Sequence, residues 1–296
     1  MTSQWSPTRL GNLTGKRVIV TGATNGVGLA TARTLARAGA HVILAARNVE
    51  LGAQRAAEMG GDTSIVKLDL ADQASVRAFP GLLDGDVDIL INNAGVVAQS
   101  RSETADGFEM TLGTNFLGPF ALTNLLFSRV RSQIINVGSD AHKAAKIALD
   151  DPHLRMRKWS AFPAYGRSKL AVMLWGLELD RRLRAAGSPV TSQLTHPGWV
   201  ASNLSNVSEK RAMSAFHTVV KAAANVLAND IDAGAAPTLY CISEPIPPGS
   251  YVGIDSRLGL RGGPTLSGRS ARACDYEVAS KLVAFAEKET GTVLSV

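Results

Sequence analysis

The stretch TGATNGVG at 21–28 decides the fold of this chain. It stands between an apolar run at 17–21, typical of a buried strand, and an amphipathic stretch at 26–38, typical of a helix. Its three glycines lack side chains that would keep the backbone away from a ligand, and the N–H groups that open the helix attract anions. The spacing T-G-x3-G-x-G between a strand and a helix therefore predicts a loop that binds the pyrophosphate of a dinucleotide.

Outward from this loop, short apolar runs alternate with longer amphipathic stretches. The predicted strands are 17–21, 41–46, 64–68, 87–91, 132–137 and 190–195, and the predicted helices are 26–38, 50–58, 106–129 and 162–186. This alternation predicts an α/β protein with a doubly wound parallel sheet (Rossmann fold) and strand order 3-2-1-4-5-6. Since no Pro/Gly/Ser-rich linker interrupts it, we expect a single domain over 1–296, with a core at about 15–255 and a C-terminal extension at about 256–296.

The regular alternation fails after the sixth predicted strand. Prolines and glycines crowd the segment 243–270 around an expected edge strand at 250–254, and a closing helix is predicted at 272–289. Two variable segments, 199–228 with apolar faces and 141–161 with His153 and Trp159, are expected to form a lid and a wall of a substrate site.

The composition indicates a soluble enzyme rather than a nucleic-acid-binding or secreted protein. The 31 basic and 25 acidic residues give a net charge of +6, but the basic residues are scattered. The two cysteines have neither metal-ligand nor C-x-x-C spacing, so we expect reduced thiols and no metal site. The first seventeen residues lack the apolar core of a signal peptide and no apolar run is long enough to span a bilayer, so a cytoplasmic location is expected.

The stretch YGRSK at 165–169 indicates the chemistry. Tyr165 and Lys169 stand four residues apart in a predicted helix and therefore project from the same face. A free tyrosine has a pKa of about 10, so proton exchange near neutrality needs a decrease of roughly 2 to 3 units. A positive charge about 5 Å from the phenolate would supply most of it, so the spacing predicts a tyrosine with a lowered pKa. A simple surface pair is the alternative.

Ser139 follows the fifth predicted strand and therefore lies at the carboxyl edge of the sheet, where ligands bind in open α/β folds. An acyl-transfer nucleophile with His142 or His196 as base is a rival interpretation. However, no G-x-S-x-G motif surrounds the serine, and His142 is too close in sequence for the usual arrangement. We expect both histidines to be loop or substrate-edge residues.

Taken together, these motifs resemble the short-chain dehydrogenase/reductase superfamily over residues 15 to about 255. The residues that carry the resemblance are Thr21 to Gly28, Asn92 to Gly95 (NNAG), Ser139, Tyr165 and Lys169. The segments HVILAARN at 41–48, IINVGSDAH at 134–142 and HPGWVASNL at 196–204 are similar to the retinol-dehydrogenase-like branch.

The resemblance implies a role for each matched residue. The catalytic residues would be Asn115, Ser139, Tyr165 and Lys169, with Ser139 bound to the substrate oxygen, Tyr165 as proton donor in reduction and Lys169 as its activator and a ribose ligand. Asn115 would bend its helix and hold a water that links the lysine to solvent, or would only cap a local helix break. The cofactor-binding residues would be Gly22, Thr24, Asn25, Gly26, Val27, Gly28, Arg47, Asp69, Leu70, Asn92, Ala94, Gly95, Tyr165, Lys169, Pro197, Gly198, Val200 and Ser202.

Two of these assignments carry particular expectations. Asp69 would accept a hydrogen bond from the adenine amino group, and Ser202 stands where the family more usually has threonine. The turn at Asn92–Gly95 would lie against the adenosine, although Asn92 could instead brace neighbouring strands by hydrogen bonds.

The end of the second strand predicts which dinucleotide is preferred. A site that prefers NAD usually has a carboxylate there to bind the ribose hydroxyls, but this chain has Ala46 followed by Arg47. Without a carboxylate a 2′-phosphate is not repelled, and a guanidinium can bind its oxygens. The sequence therefore predicts NADP(H), with NAD(H) also possible, unless Arg47 is merely a solvated residue.

The expected function is an NADP(H)-dependent oxidoreductase that interconverts an alcohol and its ketone or aldehyde, on an apolar small-molecule substrate. The alternative is a nonenzymatic NADP-binding sensor or scaffold, which would need the glycine loop but not Ser139, Tyr165 and Lys169 together. No nucleic-acid partner or membrane span is expected. A homo-oligomer could form through the helices at 106–129 and 162–186, as in family members, although their apolar faces could equally serve the core.

Overall fold

A computed structural model describes residues 5–198, 231–255 and 262–296 of the chain. Their strands form one sheet in the order β3-β2-β1-β4-β5-β6-β7-β8. The bounds are β1 Arg17–Thr21, β2 His41–Ala46, β3 Thr63–Lys67, β4 Val87–Asn92, β5 Val130–Val137, β6 Thr191–Thr195, β7 Tyr251–Ile254 and β8 Pro264–Leu266. Neighbours from β3 through β7 pair in parallel, and β8 pairs antiparallel to β7. The doubly wound sheet and the predicted order of its first six strands are confirmed.

Helices cover both faces of this sheet. The described helices are α1 Gly26–Arg37, α2 Val49–Met59, α3 Gln73–Ala78, α4 Met110–Leu112, α5 Gly118–Leu126, α6 Ala161–Ala185, α7 Ile231–Ser243 and α8 Tyr276–Thr290. Successive residues of β1 point to opposite faces, so Val18 and Val20 pack in one core with Leu35 while Ile19 packs in the other with Trp175. Burial on both faces explains why the strands read as continuous apolar runs.

The sheet extends one strand beyond the expected edge. The strand predicted at 250–254 is present as β7, but its predicted edge position is wrong, because β8 pairs outside it, with Ile254 opposite Pro264. Proline has no N–H to donate to a further neighbour, which makes β8 a suitable last strand. Helices α3 and α7 were not predicted, since one is short and the other contains Gly234 and Pro237, which weaken a helical pattern.

The predicted helix at 106–129 is present from Met110 but is not regular. A π-helical turn at Gly113–Leu117 separates α4 from α5, and a 3-10 turn follows at Phe127–Arg129. Each turn of π-helix inserts an extra residue and shifts the helical faces, and such distortions are frequent at functional sites. Asn115 stands in the middle of this turn, so the helix is irregular at the residue that was expected to bend it.

The C-terminal helix α8 lies against α5 and α6. Its buried face consists of Ala279, Leu282, Val283, Ala286 and Thr290. At the rim Glu287 accepts a hydrogen bond from Arg182 of α6 at 2.6 Å, and Asn124 of α5 donates to Thr292 Oγ1 at 3.1 Å. Part of the apolar surface of α5 and α6 therefore serves the core of the same chain.

Membrane and metal sites were sought in the described ranges. Across 5–198, 231–255 and 262–296, no helix combines the length and apolar character that crossing a bilayer requires. The same residues contain no group of three His, Cys, Asp or Glu side chains placed to hold a metal ion. Cys241 is buried and Cys274 exposed, and both are free thiols.

Candidate active site

The sequence motifs meet at one edge of the sheet. The glycine loop follows β1, the NNAG turn follows β4, Ser139 follows β5, and Pro197-Gly198 follow β6. Because these four strands are parallel neighbours, their carboxyl ends lie side by side. The topology thus brings Gly22 and Gly198, which are 198 − 22 = 176 residues apart in the sequence, to the same crevice.

The glycine loop is shaped by positions that exclude side chains. Gly22 and Gly26 have φ of +67° and +53°, a region that favours glycine. A Cβ added to Gly28 would lie 2.3 Å from Asn93 Nδ2 and 2.5 Å from the carbonyl oxygen of Gly22. The three glycines therefore let the loop pack tightly on itself and on the NNAG turn that follows β4. Asn25 remains exposed at the start of α1.

Replacing Gly28 with alanine is expected to lower the free energy of unfolding by about 1 to 3 kcal/mol, because the added methyl group collides with main-chain and amide atoms that cannot both move. Thermal unfolding of the purified variant measures this. Gly81→Ala is the matched control, since a Cβ there meets nothing within 4 Å and should change stability by less than about 0.5 kcal/mol. Equal unfolding temperatures for the two variants would contradict the tight packing at Gly28.

Thr21 and Asn93 join the glycine loop to the NNAG turn, and neither was predicted as a site residue. Thr21 Oγ1 accepts hydrogen bonds from the main-chain N–H groups of Asn93 and Ala94, each at 3.0 Å. Asn93 Nδ2 donates to the carbonyl of Thr21 at 2.8 Å. In the sequence, the position of the threonine directly before the first glycine of the motif was a sign that it contacts the neighbouring turn. These bonds fix the two halves of the crevice relative to each other.

Asn92 braces strands, which is the alternative that the sequence left open. Its buried amide Nδ2 donates to Asn136 Oδ1 of β5 and to Thr123 Oγ1 of α5, both at 2.9 Å. Gly95 instead lies beside the catalytic candidates, because a Cβ there would be 3.5 Å from both Asn115 Oδ1 and Lys169 Nζ. The turn therefore reaches the chemical end of the crevice through Gly95 rather than through Asn92.

Asn115 connects three parts of the site. Its Oδ1 accepts from the N–H of Val96 at 2.7 Å, and its Nδ2 donates to the carbonyl of Val96 and to Ser168 Oγ, each at 2.9 Å. The side chain is buried, and the π-helical turn allows it to face α6. Asn115 is thus placed to hold the segment after β4 against the helix that carries Tyr165 and Lys169. Its function in a water relay stays a prediction.

Lys169 is a buried cation. Its side chain is 4% exposed, and Nζ donates to the carbonyl of Val137, the last residue of β5, at 2.8 Å. Burial lowers the pKa of Lys169 to about 8, since the charged ammonium loses its hydration. The ammonium lies 5.8 Å from the centroid of the Tyr165 ring. The predicted neighbourhood of lysine and tyrosine on one helix face is therefore present.

The predicted decrease in the pKa of Tyr165 is wrong, because the surrounding protein raises this pKa. Burial raises the pKa of Tyr165, because the phenolate would lose more hydration than the phenol, and a hydrogen bond from Ser139 opposes this only in part. Lys169 lies over the ring and gives a hydrogen bond to Val137, so its charge is not applied directly at the phenolic oxygen. The spacing on the helix was correct, but it could not show how deeply the pair is buried.

Ser139 has a polarised hydroxyl. It caps the 3-10 turn Asp140–Ala144, where its Oγ accepts a hydrogen bond from the N–H of Ala141 at 3.2 Å. Its own proton then remains to be donated towards Tyr165. The serine, tyrosine and lysine therefore form one cluster under the carboxyl ends of β4 and β5, as expected from the sequence.

A family model of short chain dehydrogenases matches residues 16–212, which is more than half of the chain. The chain belongs to this family. Its glycine loop, NNAG turn, Ser139, Tyr165 and Lys169 all lie in the matched region, so the predicted membership in the short-chain dehydrogenase/reductase superfamily is confirmed.

Named relatives support the predicted resemblance to the retinol-dehydrogenase-like branch. The chain is 45% identical to human (Homo sapiens) retinol dehydrogenase 13 over 202 residues, which cover 64% of this chain and 60% of that protein. It is 44% identical to mouse (Mus musculus) polyprenol dehydrogenase over 206 residues, covering 64% and 61% respectively. The match therefore spans less than two thirds of the length of these relatives. The resemblance to the retinol-dehydrogenase-like branch is confirmed.

Solved structures share the fold. A crystal structure of an uncharacterised protein from Mycobacterium paratuberculosis is 39% identical, with a TM-score of 0.86, and covers 99% of this chain and 100% of that chain. More distant structures are a Burkholderia phymatum short-chain dehydrogenase/reductase with NAD (22% identity, TM-score 0.63, 78% and 87% covered) and Pseudomonas aeruginosa RhlG with NADP (23%, 0.66, 86% and 100%). At these identities the last two show the fold alone.

The remaining cofactor candidates of this short-chain dehydrogenase lie along the same edge. Ala46 is buried at the end of β2 and Arg47 is exposed directly after it. Asp69 Oδ1 accepts from the N–H of Ala71 at 3.0 Å, which shapes the turn after β3. Leu70 is buried, and Gly118 approaches it so closely that an added Cβ would lie 2.3 Å from the Leu70 carbonyl oxygen.

The segment after β6 is described only in part. Gly198 has φ of +69°, and its N–H donates to His196 Nδ1 at 3.2 Å, which turns the chain after Pro197. Val200 and Ser202 lie outside the described residues, as does the whole of the lid candidate at 199–228. These predictions are therefore untested.

His142 and His196 lie in the connections that follow β5 and β6, as expected, and their side chains are buried. They are 0% and 3% exposed. His142 Nδ1 pairs with the carbonyl oxygen of Ser139 at 2.7 Å rather than with its hydroxyl, so it is not placed as a base for that serine. This geometry argues against the hydrolase interpretation.

The segment 141–161 is fastened to the protein by the two side chains singled out in it. His153 Nδ1 accepts from the N–H of Glu109 at 3.1 Å, and its Nε2 pairs with Glu289 of α8 at 3.1 Å. Trp159 Nε1 donates to Glu109 Oε1, also at 3.1 Å. Both side chains are thus engaged with α8 and the start of α4, and the function of the segment as a substrate wall stays a prediction.

Proposed function

We propose that this short-chain dehydrogenase is an NADP(H)-dependent oxidoreductase that interconverts an alcohol and its ketone or aldehyde, with Tyr165 as the acid–base group. One observation carries the proposal: the buried ammonium of Lys169 lies 5.8 Å from the centroid of the Tyr165 ring, and Ser139 is near enough to Tyr165 to lower its pKa. A protein that only sensed a dinucleotide would have no use for this cluster. A nicotinamide cofactor is consistent with the family and with the residues around the loop.

The cluster can exchange a proton with a substrate oxygen. When a nicotinamide cofactor is bound, it supplies or takes up the hydride at the substrate carbon. In reduction, Tyr165 gives its proton to the carbonyl oxygen as that oxygen becomes negative, and the Ser139 hydroxyl donates a second hydrogen bond to it. In oxidation, Tyr165 takes the proton back. Lys169 keeps a positive charge below pH 8, and this charge lies 5.8 Å from the centroid of the Tyr165 ring, on the side of the site where Tyr165 carries negative charge after reduction.

An apolar substrate is the second part of the proposal. The relatives are named for retinol and polyprenol, which are both apolar alcohols. The chain spans only about 60% of their length, so these names support a substrate class and not an individual substrate. A panel of carbonyl compounds graded from small charged acids to long apolar aldehydes measures this. Highest kcat/KM on the charged acids would contradict it.

The test of the function is turnover measured together with binding. Purified protein is incubated with NADPH and the carbonyl panel, and with NADP⁺ and the matching alcohols, while the absorbance of the reduced nicotinamide is followed. Binding of NADPH is measured separately by fluorescence. Turnover that depends on Tyr165 supports the proposal, whereas tight binding without turnover on any substrate would favour the sensor or scaffold.

The preference for NADP(H) is expected to reverse in the double variant Ala46→Asp, Arg47→Ile. A carboxylate at the end of β2 repels a 2′-phosphate and binds ribose hydroxyls, and the exposed guanidinium is lost. A charge-assisted hydrogen bond contributes about 1.5 to 3 kcal/mol, so kcat/KM for NADPH over NADH should fall about 10- to 100-fold.

Arg131→Ile is the matched control for this variant. Arg131 is an exposed arginine at the start of β5, at the opposite edge of the sheet, and it pairs with Asp86. Its loss should leave the ratio of the two cofactors unchanged. If the double variant kept the ratio of the wild type, Ala46 and Arg47 would not set the preference.

A further inference from the structure

We propose that His142 is a positioning residue of this site, which orients the Ser139 hydroxyl towards Tyr165 through the carbonyl of Ser139. The inference rests on the proposed function, because it assigns a purpose to the geometry of Ser139. His142 itself touches neither the tyrosine nor the lysine in any hydrogen bond, so it would act only through the serine.

The ring of His142 holds the main chain of Ser139 directly. The carbonyl oxygen of Ser139 lies 2.7 Å from His142 Nδ1 and also accepts from the His142 main-chain N–H at 3.1 Å. Since a carbonyl oxygen can only accept, Nδ1 must carry the proton and Nε2 must be the acceptor nitrogen. The main-chain N–H of Ser270 points at Nε2 from 3.5 Å, which agrees with this tautomer.

The ring is fixed from several sides. It is fully buried and meets the ring of Tyr251 on β7 edge to face, with 5.9 Å between the centroids. Tyr251 in turn donates to Asp140 at 3.3 Å, and Asp140 is paired with Lys143 at 2.9 Å and lies 3.8 Å from His196. Arg269 is the further cation near the ring, and burial lowers the pKa of His142, which keeps it neutral.

Helix α6 transmits any movement of this turn to Tyr165. Gly166, the next residue after the tyrosine, packs so closely on the turn that an added Cβ would lie 3.0 Å from the carbonyl oxygen of Ala141. Ala141 is also the residue whose N–H bonds to Ser139 Oγ. The turn 140–144 therefore contacts both partners of the serine–tyrosine hydrogen bond.

The direction of the serine proton depends on this turn. Because Oγ accepts from the Ala141 N–H at 3.2 Å, the hydroxyl proton points away from Ala141 and can be donated to Tyr165, whose pKa is lowered by Ser139. Without the ring of His142, the carbonyl of Ser139 loses its hydrogen bond from Nδ1, and a cavity is left where the buried ring packed against the turn. Ser139 would then rotate among other positions, and the donor would no longer be held on Tyr165.

Three variants of His142 and one of Gln133 test the inference. His142→Leu keeps bulk but removes the donor, His142→Asn returns an amide N–H near the position of Nδ1, and His142→Gln places its amide near Nε2. Gln133→Leu is the control, because Gln133 is also buried and also donates to a main-chain carbonyl, at Cys241, but lies in the interior of β5 and has no bond to Ser139. All four are compared with the wild type in stability, kcat, KM and NADPH affinity.

We expect His142→Leu to lose kcat on the order of tenfold or more, with NADPH affinity unchanged, because misplacing one donor by a fraction of an ångström affects the chemical step. His142→Asn should recover most of that kcat, and His142→Gln should not. Gln133→Leu should lose a similar amount of stability but little kcat. Equal kcat loss in the two leucine variants, or no recovery by asparagine, would overturn the inference.

A second readout does not depend on turnover. The Ser139 hydrogen bond favours the phenolate, so its loss should move the ionisation of Tyr165 to higher pH. Ultraviolet titration, corrected with the same variants in a Tyr165→Phe background, measures this without a substrate. A Tyr165 titration unchanged in His142→Leu would overturn the inference, whereas a shifted titration in a protein without turnover would overturn only the proposed function.

Discussion

Tyr165→Phe is expected to lower kcat by about 10²- to 10⁴-fold while the affinity for NADPH stays within a factor of about two. The phenylalanine keeps the ring that Lys169 covers and fills the same buried space, so only the hydroxyl that exchanges the proton is removed. Because burial raises the pKa of Tyr165, the phenol is protonated near neutrality and ready to donate in the reducing direction. Steady-state kinetics with NADPH and the best carbonyl substrate measure the loss.

Tyr276→Phe is the matched control for this experiment. Tyr276 is 57% exposed at the start of α8 and has no bond to the cluster of Ser139 and Lys169. It should keep the kcat of the wild type. A Tyr165→Phe enzyme with more than about a tenth of wild-type kcat would show that another group transfers the proton, since a positioned acid contributes at least a hundredfold.

Lys169→Met is expected to abolish most of the activity and yet to stabilise the fold by about 1 to 3 kcal/mol at pH 7. Burial lowers the pKa of Lys169 to about 8 from an ordinary value of 10.5, so folding at pH 7 must desolvate a charged ammonium. Methionine fills similar volume without that cost. The carbonyl of Val137 loses its donor, which offsets about 1 kcal/mol of the gain.

The destabilisation caused by the buried Lys169 ammonium depends on pH. Below pH 8 the lysine is protonated in both the folded and the unfolded chain, and the full destabilisation is present. Between pH 8 and 10.5 the unfolded chain binds more protons at this position than the folded one, so the stability of the wild type rises with pH. The difference between Lys169→Met and the wild type should therefore shrink across this window.

Denaturant unfolding at pH 7 and near the upper end of that window measures the difference. Lys281→Met is the matched control, because Lys281 is 63% exposed and pairs with Glu277 on the surface of α8. Its stability should stay within about 0.5 kcal/mol of the wild type. A Lys169→Met protein that is less stable than the wild type at pH 7 would show that the ammonium is not costly in its buried position.

The sequence was most informative where a motif and an element boundary coincide. The glycine spacing predicted the loop after β1, and the apolar runs predicted the order of the first six strands. The resemblance at Asn115 indicated an irregular helix, and a π-helical turn is present there. In each case the signal is local. Glycine spacing, hydrophobic periodicity and helix irregularity all depend on residues that are close in sequence.

The sequence was least informative where burial decides the outcome. Nothing in YGRSK shows that desolvation at Tyr165 outweighs the neighbouring charge, so the direction of its pKa was predicted wrongly. The buried positions of His142 and His196 depend on β7, which lies about 110 and 55 residues later in the chain. The strand β8 was not predicted, because a strand of three residues that begins with a proline has too weak a sequence pattern.

The bonds between Thr21 and the NNAG turn have a consequence for synthesis on the ribosome. They join atoms 72 and 73 residues apart, so the glycine loop cannot be locked when β1 to β3 emerge and must wait for Asn93 and Ala94. At 5 to 20 residues per second that wait is on the order of seconds. During this interval β1 has no β4 to pair with, so one of its edges still exposes unpaired N–H and C=O groups.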